Sequence, residues 1–227
     1  MTIGILGAMD EEIKLLLEHY KNYETIKFGG NTFYKVNTNH TIIIASSRIG
    51  KVFSTLSAST MILYFKCEKM IFSGVAGGVN NDYKIGDLVL GKKLCQHDVD
   101  ITAFGHPYGY ISNGKIFTNT DESLTNLAFD IATKEGYRIH RGIIATGDQF
   151  IHNKERKEWI KKEFKADAIE MEGASVAVTC DNLNTPLCVI RAISDNAGDE
   201  ALISYEEFLD EAARKSALLV IKMIEQL

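Results

Sequence analysis

Apolar and polar positions follow two rhythms along this chain, and the rhythms take turns. "TIGILGAM" is a short apolar run that ends in small residues, which suits a buried strand. In "DEEIKLLLEHY" the apolar residues Ile13, Leu16, Leu17 and Tyr20 keep the i, i+3, i+4, i+7 spacing of one helical face. Its three acids fall in the first turn, where the helix dipole favours them. Strands are predicted again at "NTFYKV", "TIIIASS", "KMIFSGV", "DLVLGKKL", "RGIIATG", "ADAIEME" and "LCVIRAIS". Helical patterns lie between them, over 52–66, 122–135, 154–164, 173–183 and 205–226. Strands alternating with helices predict an α/β fold with a largely parallel sheet. Pro107 and Pro186 fall outside every predicted strand, and no repeat, low-complexity tract or linker interrupts the pattern, so one domain over 1–227 is expected.

Composition narrows the classes of function. With 227 residues, 45% apolar and 24% charged, the chain can bury a core without disulfides or metal staples. A net charge of −5, spread along the sequence, argues against nucleic acid, which requires a basic face. The apolar runs are too short to cross a membrane. Asp10, Glu11 and Glu12 stand where a signal peptide would need apolar residues, so a cytoplasmic protein is expected. Cys67, Cys95, Cys180 and Cys188 form no CxxC pair and read as buried thiols.

In α/β folds ligands sit beyond the carboxyl ends of strands. Here those ends read "GAMDEE", "SGVAGG", "ATGDQFI", "EMEGA" and "RAISDNAG", a set rich in glycine and carboxylate. "SGVAGG" is not GxGxxG and no helix pattern follows it at once, so a dinucleotide fingerprint is not indicated. Its glycines serve either a tight turn or a close approach of backbone to ligand. Taken alone, Glu12 reads first as a helix N-terminal acid, and Asp195 could open a turn. His97, Asp98 and Asp100 alternate in a way that suggests a metal, but polar alternation is common on strands and no metal signature accompanies it. Phe104 and Phe150 read as core residues or as ligand platforms.

"AIEMEGASVA" poses the sharpest question, because Glu170 and Glu172 interrupt an apolar run and a buried carboxylate is costly unless paired, hydrogen-bonded or protonated. On a strand, residues two apart share a face, so the two glutamates are expected on one side and Met171 on the other. Ile169 and the following "ASVAV" argue for a polar pocket over an exposed edge strand.

The ordered set "IGILGAMDEE", "SRIGKV", "GVAGG", "DVDITAFGHPYG", "TGDQFI", "AIEMEGASVA" and "VIRAISDNAG" resembles the 5′-methylthioadenosine/S-adenosylhomocysteine nucleosidases of the nucleoside phosphorylase superfamily, over Ile3 to Leu227. The resemblance implies a three-layer αβα fold with a central mixed, largely parallel twisted sheet. It implies a homodimer, and cleavage of the N-glycosidic bond of adenine nucleosides by water, without cofactor or metal. By the same resemblance Asp195 matches the acid that protonates N7 of adenine, supported by Ser194, and Glu12 the base that activates water. Glu172 matches the carboxylate that grips the ribose hydroxyls, and Met171 packs on the sugar. Arg191 matches a residue near the water. Phe150 and Ile151 match the adenine clamp, and Ala76 and Gly77 lie by sugar and base. Ile49 and Tyr205 line the pocket for the 5′ tail, which Phe104 of the partner subunit closes. Glu170 receives no role.

These residue types suit that chemistry. Adenine is a poor leaving anion and needs a proton, the sugar passes through an oxocarbenium-like cation, and carboxylates stabilise a cation or accept a proton from water. A phosphorylase would hold phosphate with cations, whereas "GAMDEE" offers acids. A binding protein without chemistry is the alternative of another class. Val75, Tyr205 and Ser112 depart from residues common in the family and touch the tail pocket. "SGVAGG", "QHDVD" and "MEGASVA" resemble the branch that also hydrolyses 6-amino-6-deoxyfutalosine, an intermediate of an alternative menaquinone route.

Overall fold

The computed structural model describes residues 1–112, 114–198 and 201–227. The strands are β1 (Thr2–Gly7), β2 (Glu24–Phe28), β3 (Asn31–Asn37), β4 (Thr41–Ser46), β5 (Lys69–Gly78), β6 (Leu88–Gln96), β7 (Phe117–Asn119), β8 (Ile139–Thr146), β9 (Ala168–Glu170) and β10 (Leu187–Asp195). The helices are α1 (Asp10–His19), α2 (Lys51–Leu63), α3 (Glu122–Lys134), α4 (Lys154–Phe164), α5 (Gly173–Asn182) and α6 (Ala201–Ile224), with a short 3₁₀ turn at Thr102–Phe104.

All ten strands belong to one mixed sheet, in the order β10-β6-β8-β9-β5-β1-β4-β3-β2, with β7 beside β6. Its centre is parallel, β4, β1, β5 and β10 running together, while β2–β3, β3–β4, β5–β9, β6–β7 and β6–β10 are antiparallel. Strand β5 is shared: its first part pairs with β10 and its last residues, Gly77 and Gly78, with β9. The strands β5, β10, β6, β8 and β9 thereby close a circuit, and this closure brings distant strand ends together.

The central strands are buried on both faces, as parallel strands under two helical layers must be. Ile3, Ile5, Ile42, Ile44, Ile71, Cys188 and Ile190 pack toward α1, α3 and α6. Their sequence neighbours Leu6, Ile43, Ala45, Met70, Phe72 and Val189 pack toward α2 and α5. That alternation is why these segments read as continuous apolar runs.

Two strands escaped the pattern. β2 is an edge strand whose residues are largely exposed, and it turns into β3 through Gly29 and Gly30, both at positive φ. A two-residue turn of that kind suits glycine at both positions. β7 is three residues long and pairs with β6. β9 is shorter than expected, ending at Glu170, and α6 starts earlier, at Ala201.

Candidate active site

The loop leaving β1 runs straight into α1, whose first turn carries Glu12. Its side chain is 3% exposed, turned in toward the sheet. Its Oε2 accepts the N–H groups of Ala8 at 2.5 Å and Met9 at 3.1 Å, and its Oε1 accepts that of Val75 at 2.9 Å. Burial pushes this carboxyl up, opposed by the charge of Arg191 and by the three N–H donors. Glu12 is the first-turn acid that the helix pattern suggested, but it is buried and faces the sheet.

"SGVAGG" lies inside β5 and makes no turn. A Cβ at Gly74 would overlap the Glu12 carboxylate, and one at Gly77 would stand 2.7 Å from Asp195 Oδ1. These glycines make room for two carboxylates. Asp195, at the end of β10, accepts the Ala197 N–H at 2.7 Å on Oδ1 and the Ser194 hydroxyl at 2.9 Å on Oδ2. Burial pushes its carboxyl up, against the Ala197 N–H, Ser194 and the charge of Lys157.

The expected strand face for Glu170 and Glu172 is not what forms. β9 stops at Glu170, and Glu172 is the residue that opens α5, with φ −138° and ψ −38°. Met171 and both glutamates all contribute to the same cavity wall. Glu172 Oε1 accepts the Gly50 N–H at 2.8 Å, from the start of α2. Burial first, then the charge of Glu170, push the Glu172 carboxyl up to about 8.

These pieces enclose a cavity of about 330 Å³. The segments leaving β1, β5, β8, β9 and β10 all reach it. Glu12, Ala76, Gly77, Phe150, Met171, Glu172, Ser194, Asp195, Ile49 and Tyr205 line it, as does Val75. Among the described residues no lysine or arginine does. Ile151 borders a smaller void of about 30 Å³ that shares Gly77, Phe150 and Asp195 with the larger one. Phe150 and Tyr205 meet edge to face with ring centroids 5.6 Å apart. Arg191 and Phe104 do not line it, and of these Phe104 was expected to reach the partner subunit's cavity, not this one. Arg191 lies behind the wall, its guanidinium 4.0 Å above the Phe72 ring and 2.7 Å from Glu170. Phe104, on the 3₁₀ turn, is 81% exposed and does not line the cavity of its own chain.

Sequence reasoning missed Ala8, Met9, Ile169 and Leu202 as lining residues and left Glu170 unassigned. Met9 stands in the quoted "GAMDEE", and its sulfur accepts the Tyr205 hydroxyl at 3.1 Å. Leu202 was out of reach because α6 was expected to begin at residue 205. Among the described residues His97, Asp98 and Asp100 form no cluster that could hold a metal ion. Asp98 pairs with Lys51 at 2.7 Å, Asp100 accepts from Thr102, and the His97 ring lies where a Cβ of Gly147 would be.

Four buried carboxylates, Glu12, Glu170, Glu172 and Asp195, thus gather around one largely apolar cavity at the strand ends of a two-sided α/β sheet. The family model described as Phosphorylase superfamily matches residues 2–225, and the chain belongs to that superfamily. Among curated relatives, the chain is similar to an aminodeoxyfutalosine nucleosidase of Helicobacter pylori, 51% identical with 99% of this chain and 98% of that protein covered. It is also similar to a 5′-methylthioadenosine/S-adenosylhomocysteine nucleosidase of Bacillus cereus, 37% identical with all of both chains covered. Among solved structures, a Helicobacter pylori 5′-methylthioadenosine/S-adenosylhomocysteine nucleosidase superposes with a TM-score of 0.98 at 50% identity, covering 100% of this chain and 99% of that one. That crystal structure holds a hydroxypyrrolidine joined to an aminopyrrolopyrimidine and a propynylthiomethyl arm.

Proposed function

We propose that this protein hydrolyses the N-glycosidic bond of 5′-substituted adenine nucleosides: 5′-methylthioadenosine, S-adenosylhomocysteine, 5′-deoxyadenosine and 6-amino-6-deoxyfutalosine. It would serve methionine salvage and menaquinone biosynthesis in the cytoplasm. The observation that carries the reading is the cavity wall: Glu12, Glu172 and Asp195 converge on it, and no cationic side chain among the described residues does. A phosphate dianion entering that wall would meet carboxylates without a compensating arginine or lysine, whereas water and a developing sugar cation suit it. A further support is the ligand type named for the similar Helicobacter pylori structure, an aminated fused-ring base on a five-membered ring with a thioether arm.

Each carboxylate then takes one task. Asp195, whose affinity for a proton burial raises, gives a proton to N7 of adenine as the C1′–N9 bond breaks. Ala197 and Ser194 fix its orientation. Glu172 has Oε1 on the Gly50 N–H and turns Oε2 toward the ribose hydroxyls and the cation forming on the sugar. Glu12, held by three backbone N–H groups, accepts a proton from the attacking water. The aromatic edge of Phe150 and Tyr205 borders the apolar space for base and 5′ tail. Phe104 and the outward residues of α2 belong, in this reading, to a homodimer, with Phe104 of the partner subunit completing the tail pocket.

The test is adenine release by the purified protein in phosphate-free buffer, with methylthioadenosine, S-adenosylhomocysteine and aminodeoxyfutalosine side by side. Release without phosphate is expected. A requirement for phosphate, with sugar 1-phosphate as product, would overturn hydrolysis. The isosteric variants Asp195→Asn and Glu12→Gln are expected to fold and to lose at least about 100-fold in turnover, the scale of general acid–base groups. Tight binding of an adenosine analogue without adenine release would point to a binding protein instead.

A further inference from the structure

Glu170 is buried in the site and has no task in the reaction above. Its contacts come from three parts of the chain. The Thr146 hydroxyl donates to Oε1. Arg191 Nη2 donates to Oε2 at 2.7 Å, the Gly173 N–H at 2.7 Å and the Glu172 N–H at 3.2 Å. Three of these donors converge on Oε2 and one reaches Oε1, so the protein itself engages both oxygens of this carboxylate. Glu172 is the opposite case, because only Oε1 is held by the protein among the described residues.

What Glu170 holds are the two things next to the reaction. The first is the Arg191 guanidinium. It is buried, rests on Phe72, and spends Nη1 on the carbonyls of Phe72 and Ile190 at 3.4 and 3.1 Å. Its Nε has no partner, so Glu170 supplies its one charged contact among the described residues. The second is the start of α5. The first N–H groups of a helix have no partner within it. Gly173 gives its N–H to Glu170, and Ala174 gives its N–H to the Thr146 hydroxyl at 2.8 Å, the same hydroxyl that donates to Glu170. Glu172 opens that helix, so its backbone is fixed by the same carboxylate. Position 173 is glycine because a Cβ there would stand 2.8 Å from Leu94 Cδ2 and 3.0 Å from Glu170 Oε2.

We infer that Glu170 is a positioning residue for this reaction: one buried carboxylate holds the Arg191 guanidinium and the peptide that carries Glu172. The inference rests on the hydrolase reading. It has an electrostatic side that a purely structural residue lacks. The groups facing the Glu172 carboxyl are Glu170 from β9, Glu12 from α1, Arg191 from β10, Tyr205 from α6 and the Gly50 N–H at the head of α2. Removing the negative charge of Glu170 takes away a repulsion and leaves Arg191 uncompensated. Both changes favour the ionised forms of Glu172 and Glu12.

The experiment is a pH–rate profile of adenine release for full-length wild type, Glu170→Gln and Glu170→Asp, with thermal unfolding to establish that each is folded. For Glu170→Gln, kcat is expected to fall about 100-fold, the scale of an ångström's misplacement, and the acid limb to move to lower pH. For Glu170→Asp, which keeps the charge but cannot reach the same donors, kcat is expected to fall with the acid limb unmoved. Folded Glu170→Gln with wild-type kcat, or with a loss of rate and an unmoved limb, overturns the inference. Should Glu170→Gln fail to fold, Glu170→Asp decides: wild-type kcat in that variant overturns it. Wild type that releases no adenine fails the hydrolase reading itself, a result distinct from any behaviour of the variants.

Discussion

Gly74 shows at residue scale what sequence alone left open. "SGVAGG" could mean a tight turn or a close approach, and the close approach is made by Glu12, a residue of the protein. The carboxylate cannot retreat, since Ala8, Met9 and Val75 hold both its oxygens. Gly74→Ala therefore forces a methyl against a fixed acid. Overpacking of this kind costs about 1–3 kcal/mol, and displacement of a reacting group costs about 100-fold in rate. We expect a folded variant with a modestly lower Tm and a kcat reduced by about that factor, measured by thermal unfolding and adenine release. Wild-type kcat in Gly74→Ala would mean that Glu12 is not where the reaction needs it. Glu170 and Glu172 stood out, because acids in apolar runs are rare, whereas Glu12 and Asp195 read as a helix N-terminal acid and a turn and stood out only through the family resemblance. The division of labour between Glu170 and Glu172 was not legible, because Thr146, Arg191 and Gly50 reach them across more than twenty residues of sequence.

At the scale of elements, strands buried under two helical layers and helices with one apolar face announced themselves, and exposed or very short strands did not. β2 lacks the apolar alternation because neither of its faces is fully covered, and β7 is too short to show a period. The strand rule failed at Glu172 because β9 ends two residues earlier, where the chain turns into α5. α2 carries two messages on one helix. Its head gives the Gly50 N–H to Glu172, while Val52, Leu56 and Leu63 recur outward and are each more than half exposed. Exposed apolar side chains at helical spacing mark an interaction surface. In the proposed homodimer that surface meets a second copy. Wild type is expected to sediment at the mass of two chains. Leu56→Asp is expected to sediment as one, with adenine release well below wild type because Phe104 no longer closes a neighbouring tail pocket. A wild-type protein that sediments as one chain sinks the dimer.

For the molecule as a whole, the same closure that gathers the acids sets its response to pH. Glu12, Glu172 and Asp195 are all raised by burial, so the folded chain holds protons that the unfolded chain would release. The sign is opposite to that of a salt-bridged carboxylate. Below the ordinary carboxylate range both states are protonated and nothing is lost. As pH rises from 4.5 toward the value of about 8 for Glu172, the unfolded state ionises first and stability falls. Each tenfold difference in proton affinity between the two states is worth about 1.4 kcal/mol, so ionised Glu172 costs the fold on the order of a few kcal/mol, a large share of a typical total of about 5–15 kcal/mol. His97 acts in the other direction: burial lowers it to about 4, so its contribution is lost as pH falls below its ordinary range. Glu172→Gln isolates the first effect, because the amide keeps an oxygen for the Gly50 N–H and cannot ionise. At about 2–4 °C per kcal/mol for a chain of this size, we expect Glu172→Gln to raise the Tm by roughly 5–10 °C at pH 9 and to change it little at pH 5. A Tm at pH 9 equal to or below that of wild type would show that the buried acid is not a burden on the fold. The expected result ties stability to chemistry. In the proposed reaction, the carboxylate that weakens the fold as pH rises is the one that faces a sugar cation and two hydroxyls, as expected of a site complementary to a transition state.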